Sequence, residues 1–368
     1  MFFEKLSEQF SEFKRQLILA LGAILVVMAI TAGIVLSVDE PFLGTWGALF
    51  FISCVPAQVL LGVWRNTEFP NSLMTVRQPT KGIINLVITF TIGLFVTIVS
   101  FYTVGGGAFF PRPPLIHYSI VTVVITFWFV IVWQCWPVKS TDKNPFFLAI
   151  VMFLIIYGMG YFVFMSLFSF EFMSKLPVYV AEIDPGGLFD AWYAVSFLVT
   201  TVAVIFTMVL LDFWPTTIWV KSDNKFLWGL VNTIIILGVS GGIYSIAIIN
   251  FDADPVKYLI HGPVSFIFGV FIPLNLLEGK LFHVNKQPVK GVMLIFVSVL
   301  SGFILNKIYF GFPQILPTKM TSGFPSYELE LWVANAMLAF SFPILVAFTD
   351  HFNFWPLRVS KDDGTEKN

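Results

Sequence analysis

Ten stretches of this chain are long and apolar enough to cross a hydrocarbon core, and none carries Asp, Glu, Lys or Arg in its central part. They run over about 16–37, 43–64, 82–104, 116–135, 146–168, 191–211, 227–250, 263–279, 291–309 and 331–349. A helix needs about 20 such residues to span a bilayer. In lipid, each backbone amide must be satisfied within its own helix or in a closed barrel. Barrel strands alternate polar and apolar residues, and these runs do not. The sequence therefore predicts an all-α, polytopic integral membrane protein with about ten transmembrane helices. With 57% hydrophobic and 12% charged residues, the chain lies far from the soluble average of roughly 25% charged.

Positive charge sets the expected orientation. With a cytoplasmic N-terminus, sixteen of the 21 Lys and Arg residues face the cytoplasm, leaving Arg112, Lys175, Lys257, Lys307 and Lys319 opposite. Both termini are then cytoplasmic, and the chain is expected to be a multi-pass protein of a cell membrane of inner-membrane type. Residues 1–15 hold Glu4, Glu8 and Glu12 and do not read as a secretory signal. Phe3, Leu6, Phe10 and Phe13 recur at helical spacing, which suggests an amphipathic helix on the cytoplasmic surface. The expected domain plan is that helix, a transmembrane domain over 16–357, and a polar tail over 358–368. Cys54 and Cys135 fall within or at the end of spans and suggest neither a disulfide framework nor a zinc site.

A recurring phrase suggests a repeated unit. Gln134-Cys135-Trp136-Pro137, Asp212-Phe213-Trp214-Pro215 and Asn353-Phe354-Trp355-Pro356 each close an apolar run, with prolines 78 and 141 residues apart. Weaker copies are Thr67-Glu68-Phe69-Pro70 and Lys280-Leu281-Phe282-His283. Gln78-Pro79-Thr80-Lys81-Gly82 returns as Gln287-Pro288-Val289-Lys290-Gly291, and Leu115-Ile116-His117 as Leu259-Ile260-His261. A unit of about 70 residues accommodates all of these, so five two-helix hairpins are expected. Proline is expected to stop the helix at each phrase. Glycines fall in mid-span at Gly93, Gly158, Gly238 and Gly302, where small residues allow close helix approach. Gly158-Met159-Gly160 and the stretch from Gly238 to Gly242 read as the tightest crossings. The other helices of the pairs open on Trp46, His117, Trp192, His261 and Trp332, and carry prolines at Pro56, Pro273 and Pro343.

The polar groups left within the spans are Gln58, Asn85, Asn232, Asn275, Asn335 and Ser and Thr residues. Gln58 and Asn275 each follow a proline by two residues, which suggests a polar notch. With Asn232 and Gly238 they form the expected substrate-binding set. Arg65, Gln134, Asp212, Glu278 and Asp350 at the cytoplasmic ends are the candidates for a gate. His117 and His261 are candidates to hold a haem or metal between helices, but no cofactor or metal is required by any motif. The chain lacks Cys-x-x-Cys-His, Walker, His-Glu-x-x-His and Gly-x-Ser-x-Gly patterns, so no catalytic residue is nominated and an enzyme is not expected. The partners expected are the lipid bilayer, other membrane subunits and a small solute, with no nucleic acid. A permease-like protein for a neutral or amphipathic solute is the leading expectation, since no intramembrane carboxylate awaits an ion. The alternatives are a non-catalytic subunit that organises a larger membrane complex, and a redox subunit with a cofactor between His117 and His261.

Overall fold

The computed structural model describes residues 2–65, 76–107, 110–138, 145–220, 223–278, 281–282, 285–315, 320–324 and 326–358. Within these, ten helices are long and apolar enough to cross a membrane: α1 (Lys14–Ser37), α2 (Leu43–Gly62), α3 (Thr80–Thr103), α4 (Pro113–Val132), α5 (Phe147–Leu167), α6 (Ala191–Leu210), α7 (Lys225–Asn250), α8 (Pro255–Leu276), α9 (Val289–Gln314) and α10 (Glu328–His351). The helix that contains α1 starts at Phe2 and runs without interruption to Ser37. The phrase Thr67–Pro70, His283, the Arg65 side chain, the side chains of residues 2–13 and the tail beyond 358 lie outside the described residues.

Two classes of helix emerge. The most apolar windows of the even-numbered helices are 67–72% buried, and those of the odd-numbered helices 22–33%. Packing explains the division. The even helices touch one another in a closed circuit, α2 to α4 to α6 to α8 to α10 and back to α2. Each odd helix lies outside, against at least two members of that circuit: α3 on α2 and α10, α5 on α4 and α2, α7 on α6 and α4, α9 on α8, α6 and α10, α1 on α10 and α8. The outer faces are covered with large apolar side chains such as Phe95, Phe162 and Phe296, as lipid contact favours.

The inner helices are irregular. Wide π-helical turns interrupt α2 at Leu43–Gly47, α4 at Trp128–Val132, α8 at Ile260–Val264 and Ile272–Leu276, and α10 at Asn335–Ser341 and Ala347–His351. Only α6 among them is an uninterrupted α-helix. Such turns shift the angular phase of everything after them, and they concentrate at functional sites.

The Trp-Pro phrases end three inner helices in one way. The helices stop at Val132, Leu210 and His351, five residues before their prolines, so proline is not what stops them. The chain instead passes through two consecutive left-handed residues: Gln134 and Cys135, Asp212 and Phe213, Asn353 and Phe354. That turn sends Cys135 N–H to the Phe129 carbonyl, Phe213 N–H to Met208 and Phe354 N–H to Phe348, satisfying carbonyls that a helix end leaves open. The Trp-Pro bond that follows is cis in all three, as are Gln78-Pro79 and Gln287-Pro288.

The Gln-Pro echoes are the other half of this join. Gln287 Nε2 donates to the Leu210 carbonyl (3.1 Å) and to Asp212 Oδ2 (2.6 Å), while its Oε1 accepts from Gly291 N–H (3.0 Å). Gln78 likewise donates to the His351 carbonyl (2.8 Å) and accepts from Gly82 N–H (3.1 Å). One amide side chain thus clamps the end of an inner helix to the start of an outer one. Gly82 and Gly291 leave the room required: a Cβ would meet the Phe352 ring at 2.4 Å or Leu211 at 2.6 Å.

The close crossings match the expectation at Gly93 and Gly302 but not at Gly158 or Gly238–Gly242, while a Cβ on Gly160 would lie 3.0 Å from Thr122 Cγ2. A Cβ on Gly158, Gly238, Gly241 or Gly242 would meet nothing within 4 Å. The tight crossing is α8 against α9, where a Cβ on Gly269 would lie 2.1 Å from the Ser298 carbonyl oxygen and one on Gly302 2.3 Å from that of Ser265. Between α2 and α3, a Cβ on Gly93 would lie 2.3 Å from Cys54 Sγ.

Candidate functional site: an apolar axial cavity

All five inner helices face one cavity of about 120 Å³. Its wall includes Ile52 and Val55 from α2, Val123 and Phe127 from α4, Val195 and Val199 from α6, Val264 and Phe271 from α8, and Leu338, Ala339 and Phe342 from α10. Asn335, also on α10, is the one polar side chain in the lining. Branched aliphatic residues dominate, so water gains few hydrogen bonds inside and the site favours apolar matter.

Aromatic layers bound the inner helices on either side of this wall. Toward the Trp-Pro ends, Phe127, Phe206, Phe271 and Phe342 form a closed circuit, one ring from each of α4, α6, α8 and α10. Their centroid separations are 5.1 Å (127–206), 5.2 Å (206–271), 4.5 Å (271–342) and 6.5 Å (342–127). At this level α2 contributes Gln58, whose Nε2 donates to the Pro343 carbonyl at 3.0 Å. Each aromatic pair of this kind adds about 0.5–1.5 kcal/mol beyond burial.

Toward the opposite ends, His117 lies against Phe170 (5.1 Å) and Trp192 (5.0 Å), and Trp192 against Tyr327 (6.0 Å). The loop between α5 and α6 supplies Phe170. It is organised by a short parallel pair, Phe168–Ser169 with Phe189–Asp190, and by Asp184, which accepts from Phe170 N–H, Gly186 N–H and the Tyr179 hydroxyl. Tyr327 donates to Asp254 Oδ2. Burial first, and then that carboxylate, raise the Tyr327 pKa well above the ordinary tyrosine value, so it remains a neutral donor.

The nominated residues fall in separate places. Gln58 lies between α2 and α10 rather than in the cavity wall, with Oε1 buried and unpaired. Asn275 is half-buried in the second π turn of α8 and is not part of the wall. Asn232 is buried on α7 and donates back to its own helix at Trp228, and Gly238 is exposed on the outer surface. The four do not converge.

Three of the gate candidates, Gln134, Glu278 and Asp212, join a neighbouring segment. Lys225 donates to Gln134, Arg358 pairs with Glu278, and Asp212 takes Gln287 at 2.6 Å and Lys290 at 3.6 Å. Asp350 accepts from Thr349. His117 Nδ1 lies 2.8 Å from the Pro113 carbonyl in its aromatic layer. His261 is exposed, bonds to Asn306 (3.2 Å) and stacks on Phe310 at 4.7 Å. Among the described residues no three His, Cys, Asp or Glu side chains gather as a metal donor set.

Compared with family models, curated proteins and solved structures, the chain matches none.

Proposed function

We propose that the chain is a permease-like membrane protein that binds a small, neutral, amphipathic solute on its axis and passes it between the two sides. The observation that supports this most is a cavity lined by every inner helix, with an apolar wall and one amide. A purely apolar solute crosses lipid unaided. One with an apolar body and a polar group must shed the water on that group to cross, and it gains from a path that offers both.

In this reading the inner and outer helices form five like pairs: four hairpins, α2 with α3, α4 with α5, α6 with α7 and α8 with α9, and a fifth pair, α10 with α1, drawn from the two ends of the chain. The recurrent phrases, the glutamine clamps and the packing of each outer helix on at least two inner ones support the repeat. Both termini face the cytoplasm, where the basic residues cluster. The phenylalanine circuit acts as the cytoplasmic constriction, a dry gap that opens when inner helices shift at their π turns.

The test is flux into proteoliposomes, using neutral amphiphiles that leak slowly through protein-free vesicles. Val199→Trp fills the cavity and is expected to cut uptake at least about tenfold, a barrier rise of about 1.4 kcal/mol. Phe162→Leu on the lipid face is expected to leave it unchanged. Uptake by Val199→Trp equal to wild type would remove the cavity from the path.

A further inference from the structure

Deepening that reading, and resting on it, we infer that Asn335 selects the ligand: a benzene-sized apolar body bearing one hydroxyl or amide group. Size comes first. A cavity of about 120 Å³ is close to the roughly 150 Å³ that, lined by Leu, Ile and Phe, admits benzene or xenon. A long acyl chain or a sugar exceeds it.

Polarity comes second. Asn335 carries two N–H donors and a carbonyl acceptor, and its half-buried side chain has no hydrogen-bond partner among the described residues. The other polar member of its π turn, Ser341, is fully engaged: it donates to the Ala336 carbonyl and bonds to Thr31 of α1 and Tyr309 of α9. That anchoring holds the turn so that Asn335, Leu338, Ala339 and Phe342 stay on the cavity side. An amide held in an apolar wall without a protein partner favours a ligand that completes its hydrogen bonds. A single such group gives direction without selecting for charge.

Benzene and phenol are matched probes, alike in size and differing by one hydroxyl. Their binding to the full-length protein in lipid nanodiscs is measured by ligand-observed NMR and titration calorimetry, with Ala339→Phe and Val199→Phe as two independent ways of filling the cavity. The expected result is that both probes bind, phenol about five- to tenfold tighter, and that either filled variant loses both. Asn335→Leu, similar in volume, is expected to bring the phenol-to-benzene ratio near one, its benzene binding reporting an intact cavity. Equal affinity in wild type, or a phenol preference that survives Asn335→Leu, would overturn the selectivity assignment while leaving the cavity in place. Absence of binding by either probe, or binding indifferent to both filled variants, would instead overturn the cavity reading itself.

Discussion

At the scale of single residues, Gln287 does what two capping residues do elsewhere. Its amide donates to the last carbonyl of α6 and its oxygen receives an N–H in the first turn of α9. Gln287→Leu keeps the volume and deletes all three bonds, so thermal unfolding in nanodiscs should show a loss of about 1–3 kcal/mol. An unchanged midpoint would mean water replaces the amide fully. The Gln-Pro-x-Lys-Gly echo is legible in the sequence, but its purpose is not, because the carbonyl it holds lies 77 residues away. Asn335 shows the converse difficulty. It is visible among the polar residues of the spans, yet nothing in the one-dimensional pattern separates it from Gln58 or Asn275. The π turns of α8 and α10 break the regular 100° step by which a helix face is read from sequence, so the inward side cannot be phased.

At the scale of elements, glycines divide by what stands opposite them. Gly302 faces the backbone of α8 at a distance no Cβ tolerates, and Gly238 faces open space. Gly302→Leu should therefore push α9 off α8 and cost about 3 kcal/mol or more, while Gly238→Ala should stabilise α7 by about 0.5–1 kcal/mol through helix propensity alone. Melting curves of the two variants against wild type check both, and equal shifts would contradict the crossing described here. Span number and rough limits are legible because lipid demands long apolar helices. Which helices are inner is not, since lipid and protein interior are both apolar and hydropathy scores them alike. The exact helix ends are partly legible: the phrases mark them, but a left-handed pair rather than proline makes the turn.

At the scale of the whole molecule, the outer helices brace an inner circuit that carries a closed set of four phenylalanines. Phe342→Ala removes the ring that meets two others in that set and lines the cavity as well. If the circuit is the constriction, the variant should leak, raising downhill uptake about tenfold with weaker discrimination by size. Flux through the same proteoliposomes reads this directly, and wild-type rates would place the constriction elsewhere. The two residues of the expected polar notch stand apart from the cavity: Gln58 bonds to the Pro343 carbonyl of α10, and Asn275 is not part of the wall. What sequence reading did capture, uncharged span centres, is the same property that makes the axis apolar.

That apolar axis has an electrical corollary. A charge carried across a membrane exchanges about 2.3 kcal/mol with each 100 mV of potential, but no residue lining this cavity can ionise. Traffic of neutral molecules here would pass no current and ignore the voltage, so a cell could run it without spending or disturbing its proton gradient.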